Sequence, residues 1–216
     1  MPIALVTGDL GFIGQHLCRA LIDTRKYYVV GLDWKRGKQE DILTCALPEV
    51  DVCFHLAGQT DARSDDVIED ARINIMGTLR ILQRYGSRVV FAATYPDIRP
   101  IVPYAIAKQA CAYYCQLYGA RMVHQCNITG PGGHGVIEAF EKADVLKIAG
   151  DGKQKRTYAS VHLAVAAFME MANAPPGASC ILPGVDLTVL DIAEIFFPNK
   201  HREFIPLGAN DLKTWQ

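Results

Sequence analysis

A tyrosine and a lysine lie four residues apart in the stretch YAIAK, as Tyr104 and Lys108. In a helix this spacing places the phenol and the ammonium group on the same face. A neighbouring cation favours the phenolate over the phenol, so Lys108 would help Tyr104 to act as a general base. Thr94 ends the apolar run VVFAAT, and its hydroxyl group can hold a substrate oxygen. The three residues predict proton transfer at a substrate hydroxyl group, although the Tyr–Lys spacing alone also fits an exposed helix start.

Three glycines, Gly8, Gly11 and Gly14, follow the first apolar run at intervals of three residues. A strand, a glycine turn and a helix start form the phosphate-binding end of a dinucleotide fold. Gly8 would allow the tight turn, Gly11 the approach of a pyrophosphate, and Gly14 close packing of helix and strand. The helix start would supply free N–H groups and a partial positive charge. A glycine-rich turn without a ligand is the alternative that the three glycines alone leave open.

An acidic residue, Asp33, ends the second apolar run, 19 residues after Gly14. A carboxylate at this position can accept hydrogen bonds from the adenosine ribose. It would also repel a 2′-phosphate, and the sequence therefore predicts NAD rather than NADP as the cofactor. Lys35 and Arg36 lie close by and argue in the other direction.

The elements that must position these residues alternate along the chain. Five short apolar runs predict buried strands, and three stretches with apolar residues at helical spacing predict helices. The strands are expected at residues 3–8, 27–33, 50–58, 87–94 and 121–130, and the helices at 11–24, 65–86 and 103–119. The alternation predicts an α/β fold with a doubly wound parallel (Rossmann) sheet over residues 1–129. Residues 130–216 are expected to form a smaller substrate-side lobe, with about 157–182 returning to the sheet.

Composition excludes several other classes of protein. The chain has 216 residues, half of them hydrophobic, and a formal net charge of −1, so neither a nucleic-acid partner nor a membrane span is predicted. The N-terminus lacks the cationic region of a signal peptide. The seven cysteines are expected to be reduced core thiols of a cytoplasmic protein, and their spacing predicts no metal site. His55, at the end of an apolar run, is expected to be a core histidine.

Further short motifs occur in a characteristic order: EDI, HLAGQTDARSD, NIMGT, NITGPGG and GDGKQKRTYASV. Together with TGDLGFIG and YAIAK, they resemble the extended short-chain dehydrogenase/reductase family, in particular its NAD-dependent nucleotide-sugar epimerase/dehydratase group, which includes UDP-glucose 4-epimerases. The resemblance covers most of the chain. It implies the following cofactor-side residues: Gly8, Gly11, Phe12, Ile13, Gly14, Asp33, Trp34, Asp41, Ile42, Leu56, Ala57, Gly58, Asn74, Tyr104, Lys108 and Cys126.

The resemblance also implies a reaction. Tyr104 would take a proton from a sugar hydroxyl while hydride passes from the same carbon to the nicotinamide of a tightly bound NAD. Lys108 would hold the cofactor ribose, and Thr94 would orient the reacting hydroxyl. Asn127 and Arg156 are implied as ligands of the substrate diphosphate. Arg63 and Ser64 could either contact phosphate or cap the long helix.

The sequence departs from related branches of the family at one informative place. Tyr95 and Pro96 follow Thr94 where the dehydratase branch carries Asp-Glu, and Asp97 also fits a turn residue. This departure favours an isomerase, a UDP-sugar 4-epimerase, over a dehydratase or a decarboxylase. The alternatives are a nucleotide-sugar reductase, dehydratase or decarboxylase, or a catalytically idle NAD-binding regulatory protein. Helices 65–85 and 103–119 are expected to form a homodimer.

Overall fold

A six-stranded parallel sheet forms the centre of the protein, which a computed structural model describes over residues 1–61, 65–95 and 102–207. Its strands, in spatial order, are β2 (Tyr28–Leu32), β1 (Ile3–Thr7), β3 (Val52–His55), β4 (Val89–Thr94), β5 (Arg121–Gln125) and β9 (Ser179–Ile181). The strand order reverses at β1, because β2 lies on one side of it and β3 on the other. Ligands of such sheets bind at the carboxyl ends of the strands beside this switch point.

Helices cover both faces of the sheet, and this confirms the predicted doubly wound fold. The helices are α1 (Phe12–Asp23), α2 (Val67–Asp70), α3 (Gly77–Tyr85), α4 (Pro103–Leu117), α5 (Val136–Lys142), α6 (Val161–Met171) and α7 (Val189–Phe196). Because side chains alternate along a strand, Val6 packs in the core beneath α1 and α6, whereas Leu5 packs in the core beneath α3 and α4. None of the helices in the described ranges is long and apolar enough to cross a bilayer.

The long helix predicted at 65–86 is built from three segments. A π-helical segment, Ala71–Met76, joins α2 to α3. Such widened turns are uncommon and often lie at functional sites. This one contains the buried side chain of Asn74.

A smaller set of elements follows β5. Strands β10 (Val185–Thr188), β8 (Lys155–Ser160) and β6 (Asn127–Thr129) form a three-stranded sheet, and β11 (His201–Ile205) pairs with β7 (Val145–Ala149). Buried side chains of α5, β7 and α7 form a separate small core. Within residues 157–182, α6 and β9 pack with the six-stranded sheet, whereas the residues of β8 belong to the three-stranded sheet.

The apolar run at 121–130, predicted as one strand, is two strands in different sheets. β5 ends at Gln125 and β6 begins at Asn127, where the chain passes from the six-stranded to the three-stranded sheet. Residue periodicity is the same on both sides of this break, so the pattern alone predicts a single element.

Candidate active site

The glycine turn between β1 and α1 is a cradle that side chains would fill. Gly8 has φ +73°, and a Cβ atom there would lie 2.8 Å from the Ala57 backbone nitrogen. A Cβ atom at Gly14 would overlap the Gly8 carbonyl oxygen. Gly11 is the N-cap of α1, no side chain caps this helix, and its first turn contains no acidic residue. The N–H groups at Phe12 and Ile13 therefore begin an uncapped helix, a site that fits a diphosphate.

Asp33 lies at the end of β2 and is buried. Its Oδ2 atom accepts a hydrogen bond from the Leu10 N–H at 3.2 Å, and its Oδ1 atom accepts one from the Lys35 N–H at 3.0 Å. Each oxygen of a carboxylate can accept more than one hydrogen bond, so both can still receive ribose hydroxyl groups. The residues at this end of the sheet fit the adenosine part of a dinucleotide. Trp34, the next residue, is exposed.

Asp41 and Ile42 lie in a turn that is fastened to α3. The Asp41 carboxylate accepts a hydrogen bond from the Leu43 N–H at 2.9 Å. The Ile42 carbonyl accepts a hydrogen bond from the Arg80 guanidinium, and the Ile42 side chain lies against Gly77. Both predicted cofactor residues are thus in an anchored turn between β2 and β3.

His55 supports the loop Leu56–Ala57–Gly58 from below. Its Nδ1 atom is 2.8 Å from the Thr7 hydroxyl, and its Nε2 atom is 3.0 Å from the Thr78 hydroxyl. The Ala57 N–H donates to the same Thr7 hydroxyl at 3.2 Å. Burial, with a smaller contribution from the Lys108 charge, lowers the pKa of His55 to about 3, so the ring is neutral. The expected core histidine therefore also braces a predicted cofactor loop.

Asn74 holds this loop from the side of the π-helical segment. Its Oδ1 atom accepts from the Gln59 N–H at 2.9 Å, and its Nδ2 atom donates to the Gln59 carbonyl at 3.1 Å. A Cβ atom at Gly58 would lie 2.6 Å from the Asn74 Oδ1 atom. The amide side chain thus fits closely over a glycine and fixes the backbone beside it.

Tyr104 and Lys108 share one face at the start of α4, which begins with Pro103. The Lys108 ammonium group is buried, donates a hydrogen bond to the Ala92 carbonyl at 3.1 Å, and lies 6.0 Å from the Tyr104 ring centroid. It also lies 4.9 Å from the Phe91 ring centroid. The bond to β4 fixes the ammonium group near the phenol, and the predicted pair is brought together.

Thr94 ends β4 and lines a cleft that Lys108 also lines. A cleft of about 190 Å³ is lined by Thr94, Tyr95, Lys108, Gln109, Ala112, Tyr113, Gln116 and His124. Tyr104 does not line this cleft. The Thr94 carbonyl is 2.9 Å from the His124 Nδ1 atom, and this contact joins β4 to β5.

Cys126 lies between β5 and β6, Asn127 begins β6, and Arg156 lies on the neighbouring strand β8. Burial raises the pKa of the Cys126 thiol. The Asn127 side chain is exposed and donates to the Thr157 carbonyl at 3.1 Å, and Arg156 donates to the Lys155 carbonyl at 3.0 Å. Within the described ranges, no hydrogen bond connects these three residues to Tyr104 or Lys108.

Glu138 was not predicted and supports the turn after β6. Its carboxylate accepts hydrogen bonds from the Thr129 hydroxyl at 2.6 Å, the Gly130 N–H at 2.8 Å and the Gly135 N–H at 3.0 Å. Burial opposes the charged form, but the hydrogen bonds outweigh it and lower the pKa of Glu138. No motif distinguishes such a glutamate from a solvated one.

Four residues considered above, Arg63, Ser64, Pro96 and Asp97, lie outside the described residues.

Relatives of known name match most of this chain. A UDP-glucose 4-epimerase of Mycolicibacterium smegmatis is 30% identical over an alignment of 232 positions, gaps included. This alignment covers 80% of this chain and 74% of the relative. A UDP-N-acetyl-alpha-D-glucosaminuronate decarboxylase of Bacillus cytotoxicus is 29% identical over an alignment of 230 positions, gaps included. This alignment covers 78% of this chain and 72% of the relative.

Solved structures share the fold over nearly the whole chain. MoeE5 in complex with UDP-glucose and NAD superposes with a TM-score of 0.83 at 22% identity, over 99% of this chain and 86% of that one. A crystal structure of UDP-galactose 4-epimerase superposes with a TM-score of 0.77 at 25% identity, over 95% of this chain and 87% of that one.

The family model described as the NAD dependent epimerase/dehydratase family matches residues 4–179. That range includes the glycine turn, Asp33, the Asn74 clamp and the Tyr104–Lys108 pair. The predicted cofactor, NAD, agrees with this match and with the shape of the glycine cradle. The chain belongs to the NAD-dependent epimerase/dehydratase family.

Proposed function

We propose that this protein is an epimerase that acts on a nucleotide sugar, and that its substrate is a UDP-sugar inverted at carbon 4. The observation that carries the proposal is the Tyr104–Lys108 pair, fixed to β4 at the same sheet edge as the glycine turn. The Mycolicibacterium smegmatis relative, named a UDP-glucose 4-epimerase, supports this choice of reaction.

The proposed cofactor site extends along the carboxyl ends of the strands of the six-stranded sheet. The start of α1 binds the diphosphate, Asp33 binds the adenosine ribose, and the braced loop Leu56–Ala57–Gly58 lies under the cofactor. Lys108 donates to the second ribose. When bound, NAD supplies a reversible hydride acceptor beside the sugar carbon.

Tyr104 acts as the general base. The phenol takes the proton of the sugar hydroxyl as that carbon is oxidised, and returns a proton when it is reduced. The buried Lys108 ammonium group lies 6.0 Å from the ring centroid and attracts the negative charge that develops on the phenol oxygen during this step. Thr94 donates a hydrogen bond that orients the reacting hydroxyl. Epimerisation then needs no external reductant, because the hydride is returned within the site.

We assign the substrate diphosphate to the strands β6 and β8 of the three-stranded sheet. Asn127 and Arg156 lie on the paired strands β6 and β8, and their side chains carry the amide and guanidinium donors that recognise phosphate. We assign Cys126, which lies between β5 and β6, to a position near the nicotinamide.

A dehydratase or decarboxylase is the second candidate, because the Bacillus cytotoxicus relative is named a decarboxylase. The residue after Thr94 argues against it. Tyr95 donates its hydroxyl to the Leu182 carbonyl at 2.6 Å, and burial raises the pKa of this phenol. A phenol with a raised pKa whose hydroxyl is bound to a backbone carbonyl is not available for the acid–base role that a carboxyl group has at this position.

The test is incubation with UDP-, GDP- and dTDP-sugars, followed by NMR of the products. We expect a UDP-sugar to give its 4-epimer, and the Tyr104→Phe variant to bind NAD but to give no product. A 4-keto or decarboxylated product would support the second candidate. Retained NAD binding without conversion of any sugar would support a regulatory role, and absence of NAD binding would contradict every one of these enzymes.

We also propose a homodimer formed by the helical face that lies opposite the sheet. Large apolar side chains are exposed on α2 and the π-helical segment that follows it (Val67, Ile68 and Met76) and on α4 (Ile106, Tyr113 and Leu117). Burying these side chains against a second copy would remove their apolar surface from water. Sedimentation would show a dimer for the wild type and a monomer for an Ile68→Lys, Leu117→Lys variant.

A cytoplasmic location completes the proposal. All seven cysteines are free thiols, and four of them are buried. Such thiols persist most readily in a reducing compartment. Fractionation of cells with an antibody to the protein would test the location.

A further inference from the structure

Two carboxylates bind one guanidinium group beside the adenosine end of the cofactor site. The Arg36 Nη1 atom donates to the Asp9 Oδ1 atom at 3.0 Å and to the Glu40 Oε2 atom at 2.9 Å, and its Nη2 atom donates to the Asp9 Oδ2 atom. The backbone N–H of Asp33 donates to the same Glu40 oxygen at 3.2 Å, which ties this group to the end of β2.

These contacts join the two chain segments that enclose the adenosine ribose position. Asp9 lies in the glycine turn, and its carboxylate is buried against Gly31 of β2, where a Cβ atom would overlap it. Leu10, the next residue, donates its N–H to Asp33. Arg36 follows Asp33 in a short turn that Asp33 caps. The Arg36–Asp9 ion pair and the hydrogen bond from the Leu10 N–H to Asp33 therefore hold the glycine turn and the end of β2 together.

Charge follows from this arrangement. One guanidinium against the carboxylates of Asp9 and Glu40 leaves this group of three side chains with a net charge of −1, next to the further carboxylate of Asp33. The two carboxylates that bind Arg36 raise its pKa, which reflects how strongly the cation is engaged. A 2′-phosphate would add a charge of about −1.5 to −2 next to Asp33, where the Arg36 guanidinium is already paired with Asp9 and Glu40.

We propose that Asp9 and Glu40 are cofactor-selectivity residues. They bind the Arg36 guanidinium, which is then not available to bind a 2′-phosphate beside Asp33. Arginine binds phosphate and carboxylate through the same planar set of donors, so a carboxylate partner competes directly with a phosphate partner. Arg36 is thus a latent phosphate ligand. This inference rests on dinucleotide binding at the site and does not depend on the proposed sugar reaction.

The test measures dissociation constants for NAD and NADP by titration calorimetry. The variants are Asp9→Asn, Glu40→Gln and the double variant, which keep side-chain size and remove the competing charges. Releasing one charge-assisted contact to phosphate should raise the ratio of NADP affinity to NAD affinity roughly 10- to 100-fold in the double variant. Adding Arg36→Ala to the double variant should abolish the gain.

Glu69→Gln is the matched control, because it removes the same charge from an exposed ion pair between Glu69 of α2 and Arg72 of the π-helical segment. Its ratio of NADP to NAD affinity should equal that of the wild type. If Asp9→Asn fails to fold, Glu40→Gln with and without Arg36→Ala gives the same comparison with a smaller shift.

The proposal is overturned if the affinity ratio is unchanged in the carboxylate variants, or if the gain for NADP persists without Arg36. It is also overturned if the wild type binds neither dinucleotide. Loss of sugar conversion with intact dinucleotide binding would count against the proposed function alone.

Discussion

Replacing His55 with glutamine should flatten the dependence of protein stability on pH. The imidazole is fully buried between the Thr7 and Thr78 hydroxyl groups and beneath the Ala57 backbone. Burial lowers its pKa from 6.5 to about 3. In the unfolded chain the ring takes up a proton near pH 6.5, whereas in the folded protein it stays neutral until about pH 3.

The size of the effect follows from this difference in proton binding. Because the unfolded state binds the extra proton, the contribution of His55 is fully present above pH 6.5 and is lost as the pH falls toward 3. Each pH unit within that window weakens the native state by about 1.4 kcal/mol. Between pH 7.0 and pH 4.5 the loss amounts to about 2.5 kcal/mol, a large part of the stability of an ordinary domain.

The assay is urea denaturation of the wild type and of His55→Gln at both pH values. Glutamine does not titrate, so the difference in unfolding free energy between the two proteins should change by about 2.5 kcal/mol in favour of the variant at pH 4.5. His201→Gln, which removes an exposed imidazole, is the control and should show a much smaller change. A difference between wild type and His55→Gln that is equal at both pH values would refute the reasoning.

Three further substitutions test the supports of the site. Asn74→Ala removes both hydrogen bonds to the Gln59 backbone and should weaken NAD binding roughly tenfold or more in calorimetry, with a melting curve that remains cooperative. Gly14→Ala should abolish NAD binding, because its Cβ atom would overlap the Gly8 carbonyl oxygen; unchanged affinity would mean that the turn does not bind the diphosphate. Glu138→Gln should destabilise the fold by about 1–3 kcal/mol at pH 7, and the difference from the wild type should shrink in acid as the native carboxylate is protonated.

Local signals in the sequence were sufficient for the parts of the site built from consecutive residues. The interval of the glycines at 8, 11 and 14 needs only one strand, one turn and one helix, and these elements form where the pattern predicts them. The Tyr104–Lys108 spacing likewise depends on a single helix. Short-range geometry of this kind is set by backbone conformation and is readable before any tertiary contact is known.

Features that depend on distant residues were not predictable in the same way. Asp9 and Arg36 are 27 residues apart, and no pattern in either segment indicates that they meet. His55 contacts Thr7 and Thr78 across separations of 48 and 23 residues. The break between β5 and β6 at Cys126 was missed because tertiary pairing, rather than periodicity, decides where a strand changes sheets.

In the proposed reaction, one carbon of the sugar gives up a hydride and receives the same hydride back within the site where Tyr104 moves the proton. UDP-glucose deuterated at carbon 4 tests this transfer most directly, with deuterium followed by NMR as UDP-galactose forms in ordinary water. The deuterium should remain quantitatively at carbon 4 of the epimer. Loss of deuterium to solvent, or its appearance at another carbon, would contradict it.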